Sequence, residues 1–291
     1  MPRNVTPLAP HSQRGKPAAA QSSVDERHPP PCPDDEPAHR RRRGIYLLPN
    51  SFTVAALFCG FYAIVMAMSG RYDSAATAIF AAMVLDSLDG RVARMTNTQS
   101  EFGAQFDSLA DMVSFGAAPA LIVYEWSLRG LGKLGWLAAF VYCAGAALRL
   151  ARFNTNVAVI DKRYFQGLPS PAAAALVAGF LWIMTDAGVQ GAHVAWFSFV
   201  ITVFAGLTMV TNVPFYSFKD VSLRRSVPFI SIFLIVLLIG LIAYQPPLVL
   251  FALFVLYALS GYALYFWHRL KGRPVSVIAT SVDEPDERGL H

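Results

Sequence analysis

Residues 86–111 read DSLDGRVARMTNTQSEFGAQFDSLAD, a stretch that places four carboxylates where one apolar segment ends and another begins. Asp86 and Asp89 are three residues apart, and Asp107 and Asp111 are four residues apart. On helices, each spacing places both carboxylates of a pair on the same face. Because the connecting segment is short, we expect two antiparallel neighbouring helices that bring all four carboxylates together.

The sequence around this stretch is typical of a membrane protein that crosses the bilayer several times. Of its 291 residues, 55% are hydrophobic and 15% are charged, whereas a soluble domain carries about 25% charged residues. Apolar runs close to the ~20 residues needed to cross a bilayer recur along the chain. We predict an all-α integral membrane fold with about eight transmembrane helices, at residues 48–68, 73–94, 106–127, 134–154, 171–187, 193–213, 227–244 and 247–267.

The distribution of basic residues predicts the orientation. With the N-terminus in the cytoplasm, only Arg71, Arg129 and Lys133 lie near loops of the opposite face, which matches the positive-inside pattern. An even number of spans then places both termini and the carboxylates at the cytoplasmic face of the cell (inner) membrane. The net charge of +5 is spread over loops between spans, so we expect no nucleic-acid partner. Residues 1–43 hold nine of the nineteen prolines and many polar residues, which predicts a disordered cytoplasmic tail.

Four carboxylates at one site in a membrane protein indicate a metal centre. Ionisable groups inside membrane helices are costly and usually mark function. Unpaired anions at one site repel each other, and divalent cations relieve that repulsion. Ligand sets made only of oxygen favour hard ions such as Mg²⁺ or Mn²⁺, and two ions can clamp a pyrophosphate during an in-line displacement. We therefore expect two such ions, with metal ligands Asp86, Asp89, Asp107 and Asp111.

Three further residues of the stretch suit a phosphate ligand. Gly90 and Gly103 fit places where a nucleotide or another helix approaches the backbone closely. Arg94, one turn beyond Gly90, can contact a phosphate oxygen. Pairing of the aspartates with nearby arginines as solvated helix ends is the plainer explanation, but Arg91 and Arg94 cannot neutralise four carboxylates.

The complete spacing D-x2-D-G-x2-A-R-x8-G-x3-D-x3-D, from Asp86 to Asp111, resembles the signature of CDP-alcohol phosphotransferases. The resemblance implies a core of six membrane helices, usually in a homodimer, with a polar cavity open to the cytoplasm. It also implies transfer of a phosphatidyl-type group from a CDP-linked lipid to an alcohol, with release of CMP. In that family the first three aspartates bind metal, and the fourth, here Asp111, is both a ligand and the proposed general base. The residues that line the CDP site would be Gly90, Ala93 and Arg94.

The resemblance extends upstream to the run LPNSFT at residues 48–53, which is similar to the start of the family's first helix. It implies that Asn50 and Thr53 approach the nucleotide phosphates, and with Gly103 we assign them to the CDP-lipid site. A helix start with a proline and a polar cap explains the run nearly as well. Many relatives carry Asn where this chain has Ala56, so one polar contact of the first helix is absent here or supplied elsewhere.

The acceptor alcohol is indicated by other segments. Arg149 and Arg152 share a helix face, and two guanidinium groups suit the carboxylate of serine, or the phosphate of glycerol phosphate, inositol phosphate or a lipid headgroup. The runs ALRLARFN at 147–154, GLPSPAAA at 167–174 and VTNVPFYSFK at 210–219 resemble those of phosphatidylserine synthases, a branch of the same family.

The expected organisation and reaction follow from these resemblances. Residues 44–225 would form the six-helix catalytic core, 226–270 two additional C-terminal transmembrane helices, and 271–291 a cytoplasmic tail. The substrates would be CDP-diacylglycerol, drawn from membrane lipid, and L-serine. The alternatives are another acceptor (glycerol 3-phosphate, inositol phosphate or choline) and, from a different class, a divalent-cation transporter. A transporter would spread its acidic residues across the depth of the bilayer.

Overall fold

The described part of the chain is almost entirely helical, as predicted. The computed structural model describes residues 47–96, 100–156, 164–216 and 229–271. The predicted tail at 1–43 and nearly all of the one at 271–291 lie outside these ranges. The helices are α1 (Leu47–Met68), α2 (Tyr72–Met95), α3 (Glu101–Asp111), α4 (Ala118–Trp126), α5 (Lys133–Asn156), α6 (Ser170–Asp186), α7 (Ala195–Val210), α8 (Phe229–Tyr244) and α9 (Pro246–Leu270). A π-helical turn, Met112–Ala117, joins α3 to α4.

Five segments are long and apolar enough to cross a membrane, by length and composition. They are Asn50–Met68, Glu101–Trp126, Lys133–Thr155, Gly191–Val210 and Pro246–Trp267. Shorter apolar helices cover Ser170–Asp186 and Ile232–Tyr244. Helix α2 is 24 residues long, but it carries the charged side chains of the DSLDGRVAR run in its second half. An all-α, multi-pass membrane fold is therefore confirmed.

Small residues allow the helices to approach closely. Helices α1 and α2 form a hairpin around Gly70, whose positive φ of 72° suits the turn. A Cβ atom on Gly145 of α5 would collide with the carbonyl oxygen of Gly206 in α7, so these two helices touch backbone to backbone. Close packing of this kind drives helix association in lipid, where the hydrophobic effect between helices is weak.

Helix α6 lies at the centre of the bundle. Of its 17 residues, 11 are buried, including every residue from Ala172 to Leu181. It contacts α2, α4, α7 and α9. A helix that is apolar on all sides is expected to be surrounded by other elements. Its N-terminus at Ser170 is consequently held in one place among its neighbours.

Two short strands join the segments that carry the acceptor motifs. Strand β1 (Tyr164–Gln166) pairs antiparallel with β2 (Pro214–Tyr216). After β1, the backbone N–H of Gly167 donates to the carbonyl oxygen of Val213 at 2.9 Å. Gly167 has a φ of 74°, and a Cβ atom there would collide with the carbonyl oxygen of Met209. The start of the run at 167–174 therefore lies beside residues 210–216, the described part of the run at 210–219, although the two are about 40 residues apart in sequence.

Candidate active site

Three of the four predicted carboxylates meet where the ends of α2 and α3 come together. Asp86, Asp89 and Asp107 each offer an oxygen that lies within 4.8 Å of the other two. Asp89 is buried, and the other two are partly buried. Helix α1 contacts both α2 and α3, so it supports the cluster from one side. The convergence of the two aspartate pairs that the spacing predicts is thus present in the structure.

Asp111 lies beside this group of three. Its carboxyl group is within hydrogen-bonding reach of Asp86, and it interacts electrostatically with Asp107 and with Arg149 of α5. Asp111 is the last residue of α3, directly before the π-helical turn. A π turn inserts an extra residue into the helix and changes the direction of the side chains around it. The turn therefore sets where Asp111 points relative to the rest of the span.

Hydrogen bonds from neighbouring helices hold this π turn. Pro119 has no N–H to donate to the carbonyl oxygen of Phe115, four residues earlier. The Tyr142 hydroxyl of α5 donates to that carbonyl at 3.0 Å. On the other side, the Ser114 hydroxyl donates to the carbonyl oxygen of Ala56 in α1 at 3.1 Å. The backbone after Asp111 is thus fixed from both α1 and α5.

The two α1 residues assigned to the CDP-lipid site lie against the carboxylate helices. Thr53 is buried, and its hydroxyl donates to Asp89 Oδ2 at 2.5 Å. Asn50 lies against the start of α3, where a Cβ atom on Gly103 would be 3.4 Å from Asn50 Oδ1. The N-terminus of α3 is capped by Ser100, whose side chain accepts a hydrogen bond from the Gly103 N–H at 3.0 Å. A Cβ atom at Gly103 would be in ordinary contact with Asn50, so a role of Gly103 in the close approach of a nucleotide or a helix stays a prediction.

The remaining residues assigned to the CDP site lie on the last turns of α2. A Cβ atom on Gly90 would meet no protein atom within 4 Å, so the space beside it is open. Ala93 is partly buried, whereas Arg94 is exposed and its Nε donates to the Gly90 carbonyl oxygen at 2.9 Å. This arrangement leaves room for a ligand at Gly90, with the Arg94 guanidinium one turn away. Contact of these residues with a nucleotide stays a prediction.

The two arginines of α5 have different surroundings. Arg149 Nη1 donates to the Ser170 hydroxyl oxygen at 2.8 Å, at the start of α6. Arg152 instead binds the end of α7: its guanidinium donates to the Val210 carbonyl oxygen and to Asn212 Oδ1, each at 2.9 Å. Basic side chains commonly bond the last carbonyls of a helix in this way. Arg149 thus binds the start of α6 and interacts with Asp111, while Arg152 caps α7. A role for either arginine in binding substrate stays a prediction.

The residues present fit a divalent cation. The Oδ1 atom of Asp107 is buried and has no hydrogen-bond partner among the described residues. A buried carboxylate oxygen without a partner is costly, and a cation beside it would remove that cost. All candidate ligand atoms are carboxylate oxygens, the donors that Mg²⁺ and Mn²⁺ prefer. The cluster could therefore hold a hard divalent ion.

Comparison with known proteins identifies the family. The sequence profile of the CDP-alcohol phosphatidyltransferase family matches residues 46–208, which contain the whole carboxylate site. The chain belongs to this family. Among similar proteins is the CDP-diacylglycerol–serine O-phosphatidyltransferase of Helicobacter pylori, 36% identical over 222 residues, which are 75% of this chain and 90% of the relative.

Proteins with the same enzyme name from other organisms are also similar to this CDP-alcohol phosphatidyltransferase. The Mycobacterium leprae protein is 31% identical over 229 residues, or 76% of this chain and 75% of the relative. The Saccharomyces cerevisiae protein is 32% identical over 246 residues, or 80% of this chain and 76% of the relative. The family resemblance drawn from the aspartate motif is thus confirmed.

Sequence reasoning missed several residues that shape the site of this phosphatidyltransferase. Tyr142 and Ser114 hold the π turn, and a proline inside an apolar span eight residues after Asp111 is the signal that indicates an irregular helix there. Asn154 Nδ2 donates to the Ser108 hydroxyl oxygen at 3.1 Å and ties α5 to the residue after Asp107. No sequence pattern indicates that contact, because it joins positions 46 residues apart.

Proposed function

We propose that the protein transfers the phosphatidyl group of CDP-diacylglycerol to the hydroxyl of L-serine, giving phosphatidylserine and CMP. The observation that supports a metal-assisted phosphotransferase reaction is that oxygens of Asp86, Asp89 and Asp107 lie within 4.8 Å of one another. The acceptor is supported by the relatives' names, which specify serine, and by coverage of 90% of the Helicobacter pylori protein.

The metal site of this proposal consists of Asp86, Asp89 and Asp107, with Asp111 as a fourth ligand. Two Mg²⁺ or Mn²⁺ ions bound there would neutralise the pyrophosphate and stabilise the charge on the entering and leaving oxygens. Thr53 orients Asp89 by its 2.5 Å hydrogen bond, as the outer partners of ligating carboxylates do.

The chain's own side chains would carry the proton and part of the charge. Asp111 accepts the proton of the serine hydroxyl as that oxygen bonds to the β-phosphorus. The anhydride bond from that phosphorus to the CMP phosphate breaks at the same time, and CMP leaves with the electron pair. Arg94 adds positive charge near the phosphates, and Arg149 binds the serine carboxylate. Positioning and electrostatic stabilisation dominate, as in other phosphoryl transfers.

The cellular placement is part of the same proposal. Basic loops favour a site at the cytoplasmic face of the cell membrane, with both termini on that side. There, serine from the cytoplasm and CDP-diacylglycerol from the inner leaflet reach the same carboxylates. The catalytic core would span residues 44–225, and the protein would form a homodimer, as the family resemblance implies.

The test is CMP release by purified protein in detergent, with CDP-diacylglycerol, Mn²⁺ or Mg²⁺, and one alcohol at a time. We expect release that requires L-serine and stops when EDTA is added. The Asp86→Asn variant is the matched negative control, since it removes one charge of the cluster and preserves the side-chain shape.

Other outcomes separate the alternatives. Release only with glycerol 3-phosphate, inositol phosphate or choline would retain the reaction class and refute serine as the acceptor. Folded protein that releases no CMP with any alcohol would refute the enzyme proposal. Uptake of Mn²⁺ into vesicles that contain the protein would then be the measurement that supports a transporter.

A further inference from the structure

The surroundings of Arg149 include a residue from the far end of the chain. Its Nη1 atom donates to Ser170, and its Nε atom is buried without a hydrogen-bond partner among the described residues. Besides Asp111, the guanidinium interacts electrostatically with Tyr257. Tyr257 belongs to α9, which begins 38 residues after the last residue matched by the family profile. The expected division into a core at 44–225 and two additional helices does not anticipate this neighbour.

Several contacts place α9 against the acceptor segments. The hydroxyls of Tyr262 and Thr208 are hydrogen-bonded at 2.7 Å, which joins α9 to the last turn of α7. A Cβ atom on Gly261 would collide with the ring of Phe215 in β2, and the ring of Tyr257 packs on the same phenylalanine, with centroids 5.7 Å apart. Helix α9 also packs along α6, the helix that begins at the Arg149-bound serine. The ring of Tyr257 is thus packed against the run at 210–216, one of the segments that resemble serine-transferring relatives.

A phenol beside a guanidinium can restrict the guanidinium in a way that a phenyl ring cannot. The phenolic oxygen accepts hydrogen bonds, and its O–H can donate to an anion. An arginine side chain loses less conformational entropy on binding a ligand when neighbouring groups already hold its planar guanidinium. Ser170 holds one end of the Arg149 guanidinium at 2.8 Å. A second neighbour on α9 would hold the other side of the guanidinium and so orient it for binding a carboxylate.

We propose that Tyr257 is a positioning residue that holds Arg149 toward the carboxylate of the acceptor, so that α9 forms part of the acceptor site. This inference rests on the proposed function, because it takes an anionic acceptor as the ligand of Arg149. We therefore expect α9 to affect the affinity for the acceptor alcohol and not the affinity for the CDP-lipid.

The test compares Tyr257→Phe with the unchanged protein in the CMP-release assay, varying L-serine and CDP-diacylglycerol separately. The phenylalanine keeps the ring packing on Phe215 and removes only the hydroxyl. We expect the KM for serine to rise about fivefold to tenfold, because Arg149 loses a polar neighbour that restricts its guanidinium. The KM for CDP-diacylglycerol should stay within about twofold of the unchanged protein.

Tyr262→Phe is the matched control, because it removes a hydroxyl from the same helix and its ring also contacts Phe215. It should lower the thermal stability without changing the KM for serine. If both variants raise that KM equally, or if Tyr257→Phe raises both KM values together, Tyr257 has only a structural role and the inference is wrong. An unchanged KM for serine in Tyr257→Phe also refutes it.

Failure of the proposed function can be told apart from failure of this inference. If the unchanged protein releases CMP with an anionic acceptor other than serine, the serine proposal fails and the same comparison is made with that acceptor. A raised KM for that acceptor in Tyr257→Phe then supports the role of Tyr257. If choline alone is accepted, both proposals fail, since a cationic acceptor has no use for Arg149.

Discussion

The hydrogen bond between α1 and the carboxylate cluster gives the sharpest prediction. Thr53 is 4% exposed, Asp89 is 6% exposed, and the hydrogen bond between their side chains measures 2.5 Å. Thr53→Val keeps the shape of the side chain and removes the hydroxyl. We expect weaker binding of Mn²⁺, because Asp89 loses a donor that orients it and water has little access to replace that donor.

The magnitude follows from the burial and charge of the pair. A hydrogen bond to a charged group contributes about 1.5–3 kcal/mol. Every 1.4 kcal/mol corresponds to about tenfold in an equilibrium constant. Loss of an outer partner of a metal ligand typically costs about 10- to 100-fold in affinity or activity. We expect the lower part of that range, about 10- to 30-fold, because the cluster retains its other carboxylates.

The assay measures the concentration of Mn²⁺ that gives half-maximal CMP release, together with direct Mn²⁺ binding by electron paramagnetic resonance of the free ion. Saturating Mn²⁺ should restore most of kcat in Thr53→Val. Thr53→Ser, which keeps the hydroxyl, should bind Mn²⁺ nearly as the unchanged protein does. Thr202→Val is the control for removing a buried threonine hydroxyl elsewhere, because the Thr202 hydroxyl donates within α7 to the Ser198 carbonyl oxygen at 2.6 Å.

An unchanged Mn²⁺ requirement in Thr53→Val would refute the reasoning. A raised KM for CDP-diacylglycerol with the same Mn²⁺ requirement would indicate that Thr53 acts on the nucleotide phosphates, as the resemblance of the first helix implies. The Mn²⁺ requirement and the KM for CDP-diacylglycerol therefore distinguish a residue that orients a metal ligand from one that contacts the substrate.

Three further variants test other parts of the site and fold. Asp111→Asn should lower turnover by roughly a thousandfold, the usual contribution of a general base, while CDP-diacylglycerol still raises the melting temperature of the variant. Tyr142→Phe should lower the free energy of unfolding by about 1–2 kcal/mol, since it withdraws a donor from a buried carbonyl; denaturation in detergent measures this. Gly145→Leu should prevent α5 from packing on α7 and reduce the yield of folded protein on size-exclusion chromatography, whereas Gly130→Leu, at a position with open space, should not.

The helices and the carboxylate cluster were predictable because both depend on local spacing. Apolar runs of bilayer length predict helices directly, and each predicted segment overlaps helical residues of the described chain, although the one at 106–127 covers the end of α3, the π turn and α4. The pairs Asp86–Asp89 and Asp107–Asp111 lie on consecutive helices, so periodicity and a short connection suffice to bring them together. The cluster of three oxygens follows from that alone.

The orientation of single side chains was not predictable, because it depends on contacts between distant segments. Arg149 and Arg152 share a helix face by spacing, yet one meets Ser170 and the other binds the end of α7. The resemblance predicts that Thr53 approaches the nucleotide phosphates, which stays a prediction, and its hydrogen bond to Asp89 is visible only in the structure. Each outcome is decided by which helix packs opposite, and helical periodicity does not contain that information.

The buried polar groups of the described residues differ between the two ends of the bundle. At the end away from the carboxylates, the Ser127 hydroxyl is hydrogen-bonded with the Gly191 carbonyl oxygen and with Ser198, each at 2.8 Å. At the carboxylate end, Asp107 Oδ1 and Arg149 Nε are buried without partners among the described residues.

Each such unpaired group costs about 1–3 kcal/mol or more in folding free energy. A site with only a structural role would therefore pair the carboxylate with the guanidinium in an ion pair. Here Asp107 and Arg149 remain apart, which leaves one position suited to a cation and another suited to an anion. A reaction that brings a pyrophosphate and an anionic acceptor together requires both positions at once.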